Sequence, residues 1–270
     1  MKITVLADNK ATAPLKGEWG LSLYIETESD RILLDSGASA LFAENAEKCK
    51  IDLEKVSLAF LSHAHYDHSN GFGKFFTVNK TAPLYLSENC KENCYGKRFI
   101  FSKYIGIKKG YTDLYKDRLV YTKGFTEVKK DIFILPHGEA DYSFYGRKNG
   151  LFQKKNGKWS CDGFDHEQSL VIRAEGGLVV FNSCCHIGAD NIINEVSEKF
   201  KGEKILALIG GFHLYKSGKD EVLELARRIK ETGIERIYTG HCTGDKAFEI
   251  LKSELKEKAF ELYSGMEINL

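Results

Sequence analysis

No stretch of this 270-residue chain comes near the ~18–20 consecutive apolar residues that cross a bilayer, so no membrane-spanning helix is expected. It shows no charged-then-apolar leader either: Met1-Lys-Ile-Thr-Val-Leu-Ala7 reads as a first strand, and a cytoplasmic location is expected. Net charge is nearly absent. The 39 Lys and Arg against 38 Asp and Glu leave +1, which argues against a dedicated nucleic-acid binder with a basic surface. Cysteine is present seven times, an odd and scattered set that points to free thiols rather than a disulfide framework. Cys90-Lys-Glu-Asn-Cys94 has no matching second pair, so a structural zinc is not expected there. Low-complexity tracts and long linkers are missing too. With 43% apolar residues, 17 Phe and 13 Tyr, the chain has material for one large α/β domain over residues 1–270.

The first half reads as strands, a helix, then a polar loop. Leu21–Thr27 and Arg31–Asp35 flank Glu28-Ser29-Asp30 as a hairpin. Ala38–Cys49 carries Leu41, Phe42, Ala46 and Cys49 at helical spacing, Val56–Leu61 is a short apolar strand, and Asn70-Gly71 precedes another helix. The second half repeats this grammar. Ser22–Gly37 aligns without a gap on Ser169–Cys184, each being two strands around a tight turn. A helix over Asp190–Phe200 follows, then a strand at Ile205–Ile209, a helix Asp220–Glu231 stopped by Gly233, and a strand Ile234–Tyr238. Two halves of one layout imply two packed sheets with helices outside.

Between them, at about residues 80–165, lies an insert. Its stretch Lys91–Lys130 holds eleven Lys or Arg against four acids, interleaved with Tyr95, Phe99, Phe101, Tyr104, Tyr111, Tyr115, Tyr121 and Phe125. Asn149-Gly150 and Asn156-Gly157 mark turns in a later hairpin-like stretch.

The chemistry concentrates in Ser62-His63-Ala64-His65-Tyr66-Asp67-His68, directly after the strand at Val56–Leu61. In extended chain His63 and His65 point the same way, and Asp67 and His68 come from the turn that follows. Imidazoles crowded this closely repel when protonated, and a shared cation relieves that repulsion. His186 and His241 each sit in a loop directly after a strand, so both are further candidate ligands; Gly240 lets the backbone approach closely. His213 reaches the same sheet edge after Gly210-Gly211. His166 in Asp165-His-Glu-Gln is a rival to His186, and His137 reads as a loop residue.

His63-Ala-His65-Tyr-Asp67-His68, preceded by Asp35-Ser-Gly37, resembles the signature of the metallo-β-lactamase superfamily. The segments Asn182-Ser-Cys-Cys-His186, Gly210-Gly-Phe-His213 and Thr239-Gly-His241-Cys-Thr-Gly244 resemble its branch of hydrolases that includes the dihydropterin–ribofuranosylaminobenzene-phosphate synthases. The resemblance implies a four-layer αβ/βα sandwich with a metal site at the sheet edges. It implies His63, His65 and His186 on one metal, and Asp67, His68 and His241 on the other. Asp35 then orients a ligand histidine, and His213 serves as proton or hydrogen-bond donor. Mixed imidazole and carboxylate ligands suit Zn²⁺ best, as one or two ions, with Fe or Mn open. Where most dinuclear members place a bridging aspartate, Cys184 stands here, either as a thiolate ligand or as a free thiol.

The expected activity is a metal-dependent hydrolase acting on an ester, amide or phosphoester, with Asp67 orienting the water or accepting its proton. A pterin-biosynthesis-type transferase is the alternative. A di-iron reductase would need a flavin segment that the sequence lacks, and the near-neutral charge disfavours a nuclease. Lys97, Arg98, Lys103 and Lys108, if they lean over the metal edge with Phe101 or Tyr104, would select a small anionic, ring-containing substrate; otherwise they are a solvated face. No nucleic-acid or membrane partner is expected, and the oligomeric state is left open.

Overall fold

A computed structural model describes residues 1–138 and 140–270. Its central strands are buried nearly along their whole length because the two large sheets are covered on both faces, while edge strands such as Thr126–Lys129 and Glu267–Asn269 are polar and exposed. One seven-stranded sheet runs, in spatial order, Glu267–Asn269, Lys2–Ala7, Ser22–Glu26, Arg31–Leu34, Leu58–Phe60, Leu84–Ser87 and Leu119–Thr122. The other runs Ala259–Glu261, Arg236–Thr239, Ile205–Ile209, Gly177–Phe181, Gln168–Ala174, Ile132–Pro136 and Thr126–Lys129.

Side chains sort by period two. Leu23, Ile25, Ile32 and Leu34 meet Leu170, Ile172, Val179 and Phe181 between the sheets, while Tyr24 and Leu33 face outward onto Phe42, Ala46, Phe72 and Phe75. On the far side Val180 and Leu208 pack against Ile192, Val196, Val222 and Leu225. The helix Lys219–Glu231 buries Val222, Leu225, Ala226 and Ile229, a stripe at 3- and 4-residue spacing. The result is the αβ/βα sandwich: helices, sheet, sheet, helices. Each fully buried large side chain contributes about 1.5–3 kcal/mol, so the layers hold together through packing and the loops at their edge are carried on a rigid base.

The internal repeat is real at the level of register. Leu23 pairs with Leu34 and Ile25 with Ile32; at the aligned positions Leu170 pairs with Phe181 and Ile172 with Val179. Each hairpin then hands over to parallel strands, Leu58–Phe60 in one sheet and Ile205–Ile209 in the other. The carboxyl ends of those strands open on a common edge, where the loops of α/β sheets gather ligands.

The region expected as an insert divides. Its strands Leu84–Ser87 and Leu119–Thr122 belong to the first sheet and Thr126–Lys129 and Ile132–Pro136 to the second, while Cys94–Arg98, Phe101–Tyr104, Leu151–Lys155 and Lys158–Cys161 build a separate four-stranded sheet. Asn156-Gly157 turns that sheet's last hairpin. Asn149-Gly150 instead ends the helix Ser143–Asn149, with Gly150 in the left-handed conformation. The small sheet is tied to the histidine loop: the Tyr66 amide donates to Ile105 O (2.9 Å) and the Ile107 amide to Ala64 O (3.1 Å). Among the described residues no helix is long and apolar enough to cross a membrane.

Candidate metal centre

The strand expected at Val56–Leu61 is shorter, Leu58–Phe60. His63 and Ala64 therefore lie in a bend rather than in extended chain, and Asp67 and His68 ride on a one-turn helix, Tyr66–Ser69. The bend still converges the first two imidazoles. Ring centroids are 4.6 Å apart for His63–His65 and 4.9 Å for each of them to His186, and one donor atom from each of the three lies within 4.8 Å of the others. Buried Nε2 of His63, Nε2 of His65 and both ring nitrogens of His186 have no hydrogen-bond partner among the described residues. Burial and the neighbouring imidazoles hold His63 and His186 well below the usual histidine range; burial, then His166, does so for His65. All three are neutral, with lone pairs to give. His186 is set by a face-on stack with Phe164 (4.6 Å, 4°) and by its amide donating to Glu167 Oε1 (3.0 Å).

A second group adjoins the first. Asp35 is completely buried, accepts from the Ser62 amide (2.8 Å) and hydroxyl (2.6 Å), and sits 2.7 Å from His68 Nδ1. That places the His68 proton on Nδ1 and turns the lone pair of Nε2 inward. His241 is held likewise. Asn9 donates through Nδ2 to His241 O (3.0 Å), so its Oδ1 is the atom that faces His241 Nδ1 at 3.1 Å and takes that proton. Two Nε2 lone pairs then confront each other at 3.2 Å. Such a contact is repulsive unless a proton or a cation lies between, so the residues present fit a bound metal. Asp67 Oδ2 lies 3.6 Å from His241 Nε2, and Cys184 Sγ 3.2 Å from His68 Nε2. Burial lowers His241; it pulls His68 down too, but Asp35 and Asp67 outweigh it and leave His68 raised. Burial raises the Asp67 carboxyl.

The backbone marks the same place. Asp35, Cys185, His213 and His241 all have positive φ (54°, 40°, 50° and 47°), a conformation that costs a non-glycine residue about 1–3 kcal/mol and persists only in an over-determined setting. Gly240 is needed for close approach, since a Cβ there would meet Asp8 Oδ2 at 2.7 Å.

The family model of the metallo-β-lactamase superfamily matches residues 20–151. A curated relative from Methanocaldococcus jannaschii, 7,8-dihydropterin-6-methyl-4-(β-D-ribofuranosyl)-aminobenzene-5'-phosphate synthase, is 31% identical over 283 residues, covering 98% of this chain and 95% of the relative. A crystal structure described as a metal-dependent hydrolase of the β-lactamase superfamily superimposes with TM-score 0.84 at 30% identity, covering 100% of this chain and 99% of that one. A metallo-β-lactamase-fold protein from Bacillus subtilis, 17% identical with TM-score 0.61, shares the fold. The chain belongs to the metallo-β-lactamase superfamily. As an enzyme of that superfamily it binds divalent metal.

Other histidines of this superfamily member fall into place by their partners. His213, partly exposed, packs its ring 4.3 Å from that of His186; burial and Lys216 lower it to about 3, so it is neutral. His166, the rival to His186, is completely buried. Its Nδ1 accepts the Ala64 amide (3.2 Å) and its Nε2 faces Asp162 Oδ2 (3.2 Å) and Cys94 Sγ (3.7 Å). With both nitrogens so engaged it braces the bend between His63 and His65. His137 is likewise buried, between Glu195 Oε2 (2.5 Å) and Ser169 Oγ (2.7 Å).

Above the histidines lies a cleft of about 440 Å³. Lys97, Arg98, Phe101 and Lys103 of the small sheet line it, as do Trp19, Tyr215 and Lys216; Lys108 and Tyr104 do not. Tyr104 gives its hydroxyl proton to Ile107 O, and Lys108 lies over the Tyr111 ring (5.2 Å). Among the described residues Asp67 is the one acid in the lining. Trp19, Tyr215, Lys216 and Asn9 had no signal in the sequence, because each arrives from a loop with no motif of its own. A cue existed for Cys242, its position beside His241.

Proposed function

We propose that this chain is a metal-dependent hydrolase that uses an activated water on an ester, amide or phosphoester of a small anionic molecule. The observation that carries the reading is the floor of the cleft: neutral imidazoles whose inward nitrogens have no protein partner, beneath walls lined by four cations and one acid. In this reading His63, His65 and His186 hold one cation, and Asp67, His68 and His241 flank the other. Imidazole, carboxylate and thiol donors favour Zn²⁺. A bound divalent cation would lower the pKa of water and polarise a carbonyl or phosphoryl oxygen. Asp67, its carboxyl raised by burial, orients the water and takes its proton. Neutral His213 donates a hydrogen bond to the substrate, and Asp35 keeps His68 Nε2 turned inward. Lys97, Arg98, Lys103 and Lys216 attract the anionic group, and Phe101 or Trp19 stacks on a ring.

The second reading is a transferase of the pterin-biosynthesis type, supported by the 31% identical synthase and by the same pairing of cations with aromatics. Metal analysis of the purified protein, with a screen of phosphoesters, lactones and thioesters alongside the synthase reaction, tests both. Chelator-sensitive hydrolysis is expected. Turnover that survives chelation overturns the metal-dependent reading, and synthase activity without hydrolysis selects the second.

A further inference from the structure

The second group of donors contains two sulfurs that the histidine–aspartate pattern does not use. Cys184 lies in the loop after Gly177–Phe181, and Cys242 follows His241 in a 3₁₀ turn, His241–Thr243. Both are buried, and their Sγ atoms are 3.3 Å apart. Donor atoms of Cys184, His241 and Cys242 all lie within 4.8 Å of one another. Cys184 Sγ and His241 Nε2 are each 3.2 Å from His68 Nε2. Ligand atoms of a tetrahedral zinc, at ~2.0–2.3 Å from the ion, are about 3.3–3.8 Å apart, close to the Cys184–His68, His241–His68 and Cys184–Cys242 separations, so small side-chain shifts would close these donors into one shell.

The place of Cys242 Sγ is built. The His213 amide donates to it at 3.2 Å, the bond that typically steadies a metal thiolate. A Cβ on Gly211 would fall 2.5 Å from it, so glycine there clears space for this sulfur.

We propose that Cys184 and Cys242 are both metal ligands, completing with His68 and His241 a thiolate-containing second position selective for Zn²⁺ and softer cations over Mg²⁺ and Ca²⁺. This rests on the reading of the cleft floor as a metal centre. Each thiol gives up its proton to solvent on ligation, so binding releases protons and strengthens with pH. Asp67, 3.6 Å from His241 Nε2, stays at the rim of this shell and is free to handle the proton of the attacking water.

The test is an anaerobic titration of reduced, metal-free protein with Co²⁺, followed by bound equivalents and by the near-ultraviolet thiolate-to-cobalt charge-transfer band. Wild type is expected to take two equivalents and show the band. C184S and C242S should each lose roughly half its intensity, the double variant should lose it all, and His63, His65 and His186 should still hold one equivalent. As a readout on unmutated protein, Cys184 and Cys242 should resist alkylation while Zn²⁺ is bound and react once it is chelated. An unchanged band in C242S, equal alkylation with and without metal, or a Cys184–Cys242 disulfide mapped in the metal-loaded protein overturns the proposal. If no Co²⁺ binds at all, the metal-centre reading itself has failed.

Discussion

The two edges that meet at the cleft are built differently from matching hairpins. In the first half, candidate ligands His63, His65, Asp67 and His68 are nearly contiguous, and their placement depends on one bend and one helical turn. In the second half, His186, His213 and His241 come from three separate loops, brought together because Gly177–Phe181, Ile205–Ile209 and Arg236–Thr239 are adjacent parallel strands. The aligned hairpins also end in different chemistry. Asp35 is a carboxylate against His68 Nδ1, whereas Asn182, its counterpart, accepts the Cys185 amide (2.8 Å) and donates to Ser169 Oγ (3.1 Å). One scaffold has been used once to orient a ligand and once to shape a turn.

Removing a donor from either edge is the strongest test of their equivalence. H65A and H241A are each expected to lose bound metal and to cut turnover by about a thousandfold or more, as losing several kcal/mol of transition-state stabilisation requires. Their far-UV circular dichroism should match wild type because the sandwich is held by buried strands. Full metal content in both variants, measured by mass spectrometry, would remove the assignment.

The supporting residues should separate the halves. D35N leaves His68 without its carboxylate and should weaken metal binding by about 10–100-fold. N182A should leave metal affinity near wild type and instead cost about 1–3 kcal/mol of stability from the unsatisfied Cys185 amide. Chelator competition and urea unfolding measure the two, and equal metal affinities for the two variants would erase the distinction.

Acid should unfold the metal-free protein. His63, His65, His186, His213 and His241 all lie below the ordinary value near 6.5, while His68 and His166 lie above it. For the lowered set the unfolded chain binds more protons, so their stability is present above the unfolded pKa and is lost as pH falls below it. Each can add up to about 1.4 kcal/mol per pH unit in that window. The raised pair acts oppositely, as do the buried carboxyls of Asp8, Asp67 and Glu167, raised by burial, so the fall is smaller than the five lowered histidines alone would give. Urea midpoints of chelated protein at pH 7.5 and 5.5 check this: a midpoint that rises on acidification refutes it, and bound metal should flatten the fall.

The smallest effect concerns the cleft wall. R98E and K103E are expected to raise KM for anionic substrates several-fold with kcat little changed, and the difference should shrink with added salt. Equal turnover of neutral and anionic analogues by wild type would show that the wall does not select charge.

Much of this was legible because periodicity is local. The gapless match of Ser22–Gly37 with Ser169–Cys184 became the same residue pairing in two sheets, since apolar alternation and a tight turn together leave one register. The His63–His68 run was readable as a cluster for the same reason. His137 lies in a loop as expected, but the burial of His137, His166 and Cys94 was not legible, because their partners Glu195, Ala64 and His166 lie far away in the chain. The reach of Lys108 was unreadable as well, because period two gives a strand's faces but not what stands above them.

By itself, then, the sequence determined the strand–helix grammar, the repeated hairpin and a contiguous set of metal-binding side chains, all governed by neighbours a few residues apart. Only the tertiary structure decided that Asn9 orients His241, that His166 braces the histidine bend, and that two thiols lie 3.3 Å apart beside His68. Those contacts join residues across 58 to 232 positions of chain, and the order in which strands pack, rather than any local preference, sets which of them meet.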